Sequence, residues 1–347
     1  MNAPSSPMSR EHKPQRANFG VPRDIMSGMQ RLLTPVLAAF LLSGAAVAQP
    51  QMAAIPQPGT RLSVDQLKSQ IHVTAGRRLR PSSWPNGARV AVALSFDVDN
   101  MAPSLARGDI APVILSRGEY GAVDGLPRIL RLLDKYEIPA SFFIPAVSDV
   151  LHPQMIRDIL AGGRHEIGVH GWIHEALSAL NNEAEEQRLL DQAIAHLTKV
   201  TGRRPVGYRA PSWAFSPYTM GQVAKAGFLY DSSMMASDDA YELLLDGKPT
   251  GVIELPIEWI LDDHPVLNLP GGVLPSPDLV NQTFQSEFDM AYAERGLFIL
   301  TMHPHVTGHR SRIAGLEKLI LHMKSRPGVW FATHEQVAKY VKGRAGQ

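Results

Sequence analysis

After the turn signal Pro85-Asn86-Gly87 the chain alternates, towards its C-terminal end, between short apolar runs and longer stretches of helical periodicity. Strands that are apolar on both faces must be covered on both faces, and parallel strands need a crossover helix between them. The alternation therefore confines the chain to a parallel sheet wrapped by helices. The spacing predicts strands over residues 89–96, 140–144, 166–170, 206–209, 252–256, 297–303 and 329–333. It predicts helices over 125–136, 153–161, 183–201, 217–226, 284–295, 311–325 and 334–341. In the first of these, Leu126, Ile129, Leu130 and Leu133 keep the spacing of one buried face. Seven such units predict an α/β fold, a complete or incomplete (β/α) barrel of about seven parallel strands, with an open doubly wound sheet as the alternative. No internal repeat and no second domain is legible, so residues 85–342 read as a single domain.

Several stretches fall outside this rhythm. Residues 49–84 are rich in Pro, Gln, Ser and Arg and read as a linker with one short helix near 64–70. Residues 101–123 and 262–277 are long insertions. Ordered insertions of that length often shape a substrate cleft or a subunit contact, so a homo-oligomer built on the first is one expectation. At the N-terminus Arg23 and Arg31 accompany an apolar run over 32–47 that ends in Ala46-Val47-Ala48. Basic residues, a short apolar run and a small-residue cleavage pattern predict a signal peptide over 1–48, hence a periplasmic or secreted chain. The run is short and carries Pro35, which argues against a stable transmembrane span; Met26 and Met29 are alternative translation starts.

Composition narrows the chemistry. Hydrophobic residues make up 44% of the chain, enough for a sizeable core. A formal net charge of +1 with no basic run offers no footprint for nucleic acid. There is no cysteine, which excludes disulfides, thiol nucleophiles and thiolate ligands. Any metal must be held by His, Asp or Glu.

Polar residues recur where the predicted strands end, the edge at which parallel α/β folds build their sites. The first strand ends Ser95-Phe96-Asp97-Val98-Asp99. Carboxylates at i and i+2 share one side of a strand and repel, unless a cation takes one and a proton-transfer role the other; solvated loop aspartates are the plainer alternative. The third strand runs into His170-Gly171-Trp172-Ile173-His174. At i and i+4 these histidines share a face if the segment is helical, and can bind one metal. With Asp99 they form a set of two histidines and one carboxylate that leaves positions open for water and substrate.

The fourth strand ends Tyr208-Arg209-Ala210-Pro211-Ser212-Trp213. Arg209 can hold a carboxylate by a forked pair of hydrogen bonds, with Asp97 the natural partner. Trp213 is a candidate aromatic wall of the site. Thr301-Met302-His303-Pro304-His305 ends another strand and puts His303 where it could protonate a leaving amine, with His305 and His309 weaker candidates. Asp231, in Tyr230-Asp231-Ser232-Ser233, could orient that imidazole or cap a turn. Tyr120 and Trp172 are further candidates for substrate contact, and Trp259 and Trp330 for sugar stacking.

In this order the motifs resemble the polysaccharide deacetylase family, carbohydrate esterase family four, over about residues 80–340. The resemblance implies Asp97 as general base, Asp99, His170 and His174 as metal ligands, Arg209 as the residue that holds the base, and Asp231 and His303 as the orienting partner and the catalytic acid. It also implies a distorted barrel. The family's first motif usually reads Phe-Asp-Asp-Gly, whereas here it is Phe96-Asp97-Val98-Asp99-Asn100. That spacing, with residues 117–121 and His303-Pro304-His305, resembles a subgroup of peptidoglycan deacetylases bordering on allantoinases and cyclic imide hydrolases.

The expected activity is metal-dependent hydrolysis of a C–N amide bond: N-deacetylation of an amino-sugar polymer such as peptidoglycan or a chitin-like polysaccharide. The cation expected is zinc, with cobalt, manganese and nickel as alternatives. Ring opening of a cyclic imide or ureide is the nearest competitor. A non-heme iron oxygenase uses the same ligand types, and a non-catalytic sugar-binding chain could keep the fold; the joint presence of base, ligands and acid weighs against both.

Overall fold

The computed structural model describes residues 57–268 and 275–344. The predicted signal peptide over 1–48, and the beginning of the predicted linker, lie outside the described residues. No helix among the described residues is long and apolar enough to cross a membrane.

Ten strands build one sheet: β1 (Val73–Arg78), β2 (Val90–Asp97), β3 (Ala140–Ile144), β4 (Glu166–Val169), β5 (Gly207–Tyr208), β6 (Tyr230–Asp231), β7 (Tyr241–Leu245), β8 (Lys248–Glu254), β9 (Leu297–Met302) and β10 (Val329–Phe331). Their order is β1-β7-β8-β6-β5-β4-β3-β2-β10, with β9 also paired to β2. From β8 to β10 every pairing is parallel, as the crossover helices require. The result is a curled, mostly parallel α/β half-barrel, consistent with the expected distorted (β/α) barrel. An isolated bridge from Asp262 to Thr301 brings the start of the second insertion alongside the end of β9.

β2 is buried along its whole length. Its alternate residues divide between two cores: Val90, Val92, Leu94 and Phe96 pack in the larger one, Ala91 and Ala93 in the smaller. Trp330 is partly buried against the smaller core, where it meets Trp84 with ring centroids 5.9 Å apart.

All seven expected strands are present, and β1, β6 and β7 are additional. β6 spans two residues, too few for a period to show. β7 and β8 form a hairpin across Asp246 and Gly247, both with positive φ. β1 lies in the stretch read as linker, and this corrects that reading: it has no clean alternation and exists as a strand through antiparallel pairing with β7. The short helix expected near it is Val64–Lys68, held by a capping box between Ser63 and Gln66.

The helix Glu183–Thr201 has the predicted bounds, started by the Asn182 side chain and ended by Gly202 in the left-handed region. The insertion over 101–123 is not an irregular loop. It forms helices Ala102–Ala106 and Pro112–Tyr120 and a turn of π-helix, Gly121–Gly125, that runs into Leu126–Tyr136. Glycine permits its close seat: a Cβ on Gly118 would collide with the Asn100 backbone, and one on Gly125 with the Pro304 carbonyl.

Candidate active site

Strand ends, the first insertion and the beginning of the second line a cleft of about 530 Å³. Asp97, the last residue of β2, is almost completely buried, with Oδ1 2.7 Å from Nη1 of Arg209. A buried ion pair is tolerable only when its remaining hydrogen-bonding capacity is satisfied. Arg209 meets that condition. Nη1 also donates to the Ser95 hydroxyl at 3.0 Å, Nε to the Ser232 carbonyl at 2.9 Å and Nη2 to the Ser232 hydroxyl at 2.8 Å. The guanidinium carbon lies 4.0 Å from the centroid of the Phe143 ring. The expected partner is thus present, but the contact is a single point rather than a fork, because the second arm of Arg209 is taken by Ser232. The serines were missed in the sequence, where nothing distinguishes them from ordinary loop serines.

The ligating atoms of Asp99, His170 and His174 lie within 4.8 Å of one another. Nε2 of His170 is 3.5 Å from Asp99 Oδ1, and Nε2 of His174 is 3.7 Å from Asp99 Oδ2. Nδ1 of His170 donates to the Arg209 carbonyl at 2.8 Å, which leaves the Nε2 lone pair facing Asp99. Asp99 Oδ1 is buried with no hydrogen-bond partner. An orphaned carboxylate oxygen beside two imidazole lone pairs fits a divalent cation with open coordination positions. Burial alone would raise the Asp99 pKa, but His174, His303 and His170 outweigh it and hold the carboxylate well below the usual range. The histidine segment is not helical. Gly171 and His174 have φ of 77° and 61°, and the Glu175 carboxylate accepts the N–H groups of Trp172 and Ile173. A turn, rather than one helix face, brings the two imidazoles together.

His303 follows β9. Its Nδ1 lies 2.8 Å from Asp263 Oδ1 and 3.5 Å from Asp262 Oδ1, and its Nε2 3.7 Å from Asp99 Oδ2. Burial would lower the imidazole pKa, yet Asp262, Asp263 and Asp99 together hold it well above its ordinary value. Burial pushes Asp262 itself up to about 7. This corrects the expectation for Asp231. Asp231 accepts the Ser233 hydroxyl at 2.9 Å and is the register partner of Glu254 on the neighbouring strand; Asp263 occupies the place beside His303. Asp262-Asp263-His264 opens the second insertion, and its pair of carboxylates was the available signal, but its position depends on the bridge to β9.

The aromatic candidates separate. Trp213 lines the cleft and packs on Trp259 with ring centroids 4.3 Å apart; Trp259 is 47% exposed at the mouth. Tyr120 is occupied elsewhere: its hydroxyl donates to the Gly308 carbonyl at 3.1 Å and its ring stacks on His309 at 4.2 Å. Trp172 packs edge-on to His196 at 6.1 Å and against the larger core. Neither is among the residues lining the cleft, so their expected substrate contacts are corrected. His305 does line it, its pKa lowered by burial to about 3. The first insertion adds Arg107, Ile114 and Arg117 to the rim.

A family model for polysaccharide deacetylase matches residues 109–230. A peptidoglycan deacetylase from Helicobacter pylori is 32% identical over 282 residues, which cover 72% of this chain and 95% of that protein. A solved structure from Mycobacterium smegmatis assigned as a polysaccharide deacetylase has a TM-score of 0.71 at 35% identity, covering 79% of this chain and 96% of that one. An allantoinase structure has a TM-score of 0.66 at 27% identity, covering 77% and 93%. Fold, site and relatives together define a hydrolase of carbon–nitrogen bonds other than peptide bonds. The chain belongs to the polysaccharide deacetylase family.

Proposed function

We propose that the protein is a metal-dependent N-deacetylase of an amino-sugar polymer outside the cytoplasm, with peptidoglycan ahead of chitin-like polysaccharides. The observation that carries this reading is one cleft holding the Asp97–Arg209 pair, the Asp99, His170 and His174 set, and His303 backed by Asp263. A divalent cation held by Asp99, His170 and His174, zinc first with cobalt, manganese or nickel as alternatives, would supply Lewis acidity towards the amide carbonyl and the attacking water. Asp97, fixed by Arg209, accepts a proton from that water as it attacks. His303, charged and oriented by Asp263, gives its Nε2 proton to the departing nitrogen, so acetate and a free amine result. The Trp213 and Trp259 rings offer a face on which a sugar ring can stack. The predicted signal peptide supports action on a polymer beyond the membrane.

The test is acetate release by the protein, metal-loaded and chelated, on N-acetylglucosamine oligomers and on peptidoglycan. Metal-dependent release is expected, and none on either substrate overturns the reading. A second reading has its own support: the likeness to an allantoinase, and a cleft rimmed by the helical first insertion. It takes a cyclic imide or ureide as substrate. Ring opening without acetate release would put it first.

A further inference from the structure

Next to Arg209 in the sheet lies a carboxyl pair that the proposed reaction does not use. Asp231 ends β6 and Glu254 ends β8; the strands are adjacent and parallel, and the two residues are register partners. Both are completely buried. Glu254 Oε1 accepts the N–H groups of Ser233 and Met234, each at 2.9 Å. Asp231 Oδ1 accepts the Ser233 hydroxyl at 2.9 Å. The other oxygens, Asp231 Oδ2 and Glu254 Oε2, are buried with no hydrogen-bond partner in the surrounding protein, and the two side chains stand side by side on neighbouring strands. Two ionised carboxylates placed so would repel and leave two acceptors unsatisfied. One proton between them turns the orphan acceptors into a donor and an acceptor.

The surroundings agree. The titratable groups facing the pair are Tyr208 and Arg209 at the end of β5 and Tyr241 of β7. Arg209 favours ionisation, but its donors are committed to Asp97, Ser95 and Ser232. Burial pushes Asp231 up to about 6 and Glu254 well above the carboxyl range. The pair also has a mechanical connection to the site. Ser232 takes the Nε and Nη2 donors of Arg209, and the Ser233 hydroxyl takes the Ala210 N–H at 2.8 Å.

We propose that Asp231 and Glu254 share one proton and act as positioning residues, locking the Ser232 and Ser233 seat of Arg209 and through it the Asp97 carboxylate. The link to catalysis rests on Asp97 being the base, as proposed above; the shared proton does not. Loss of that proton at alkaline pH loosens the seat. E254Q replaces it with a permanent amide donor while keeping an acceptor for Ser233 and Met234.

The first readout is infrared spectroscopy of the whole protein. Wild type is expected to show, in the difference spectrum against E254Q at neutral pH, a protonated-carboxyl C=O band beyond the one that Asp262 contributes to both. The second is the thermal midpoint against pH. A carboxyl pKa raised by folding contributes stability that is complete below the unfolded pKa and is lost as pH rises through the folded one. Wild type should therefore lose more of its midpoint than E254Q between about pH 5 and about pH 9. The third is kcat, on acetate release or on ring opening, whichever the protein performs. Its alkaline fall should be several-fold smaller in E254Q with KM unmoved, while the part due to His303 stays common to both. Should E254Q not fold, D231N offers the same donor from the other side. No such difference band, or equal pH slopes in wild type and variant, overturns the shared proton. Equal alkaline falls in kcat overturn the positioning role. Absence of acetate release alone overturns only the deacetylase reading.

Discussion

Nδ1 of His303 lies 2.8 Å from Oδ1 of Asp263, and the other oxygen of that carboxylate accepts the His303 backbone N–H at 3.0 Å and the Thr307 hydroxyl at 2.5 Å. One side chain therefore orients the imidazole and pins the strand end that carries it. D263N keeps the shape but weakens the charge that holds His303 protonated. Its kcat should fall by about 10²- to 10⁴-fold, the range for losing a general acid, with the alkaline limb of the pH profile moved to lower pH. D231N, which does not touch His303, should leave the His303 part of that limb in place. Matching displacement of this limb in both variants would return Asp231 to the acid.

D97N removes the proposed base and leaves the Arg209 charge buried opposite a neutral group. Activity should drop by about 10²- to 10⁴-fold. Stability should drop by about 3 kcal/mol, the low end for breaking a buried pair, since an amide still accepts one hydrogen bond. Metal stoichiometry, read by elemental analysis, should be unchanged. Near-normal turnover would remove Asp97 from the proton transfer.

Metal binding should show in stability without any assay of turnover. A ligand bound only by the folded chain adds about 2.7 kcal/mol when present at about 100 times its dissociation constant. Thermal midpoints of wild type should rise on titration with zinc, and those of D99A and H170A should stay flat. A rise of equal size in D99A would place the cation elsewhere.

The buried imidazoles set an acid limit. Burial and then the nearby Arg209 charge hold His334 well below its ordinary value, and burial lowers His165 to about 4. A histidine whose pKa is depressed by folding contributes stability that is present above the unfolded value of about 6.5 and is lost as pH falls below it. Each such group costs up to about 1.4 kcal/mol per pH unit over that interval. Thermal midpoints should decline from about pH 6.5 downward, and the decline should be shallower in H334Q. An unchanged slope in that variant would mean that His334 is not held neutral.

The seat of the first insertion can be tested through Gly118 within it and Gly125 just beyond it. G125A drives a methyl group into the Pro304 carbonyl, and G118A into the Asn100 backbone. Each should cost about 1–3 kcal/mol in denaturant unfolding, the usual range for overpacking. G125A should also lower kcat, because Pro304 follows His303 directly. Unaltered stability in both would show that the insertion can move off the site.

Much of the molecule was legible in the sequence because it is written locally. A strand that is apolar on both faces ends where its polar residues begin, so the end of β2 could be read at Asp97, and those of β5 and β9 to within one residue, at Arg209 and His303. Asp99, His170 and His174 were legible as a candidate metal set from their residue types at the strand ends, although a turn and not helical spacing brings the two histidines together. The tertiary structure decided which groups meet. Asp231 and Asp263 look alike in the sequence, each an acidic residue beyond an apolar run. The bridge between Asp262 and Thr301 carries Asp263 to His303, while the β6–β8 pairing hands Asp231 to Glu254. β1 became a strand through the unpaired edge that β7 offered it, and the first insertion became a roof through two glycines that let backbone approach backbone. Such choices depend on pairings between residues far apart along the chain. Periodicity records which face of an element is buried, but not which neighbour buries it.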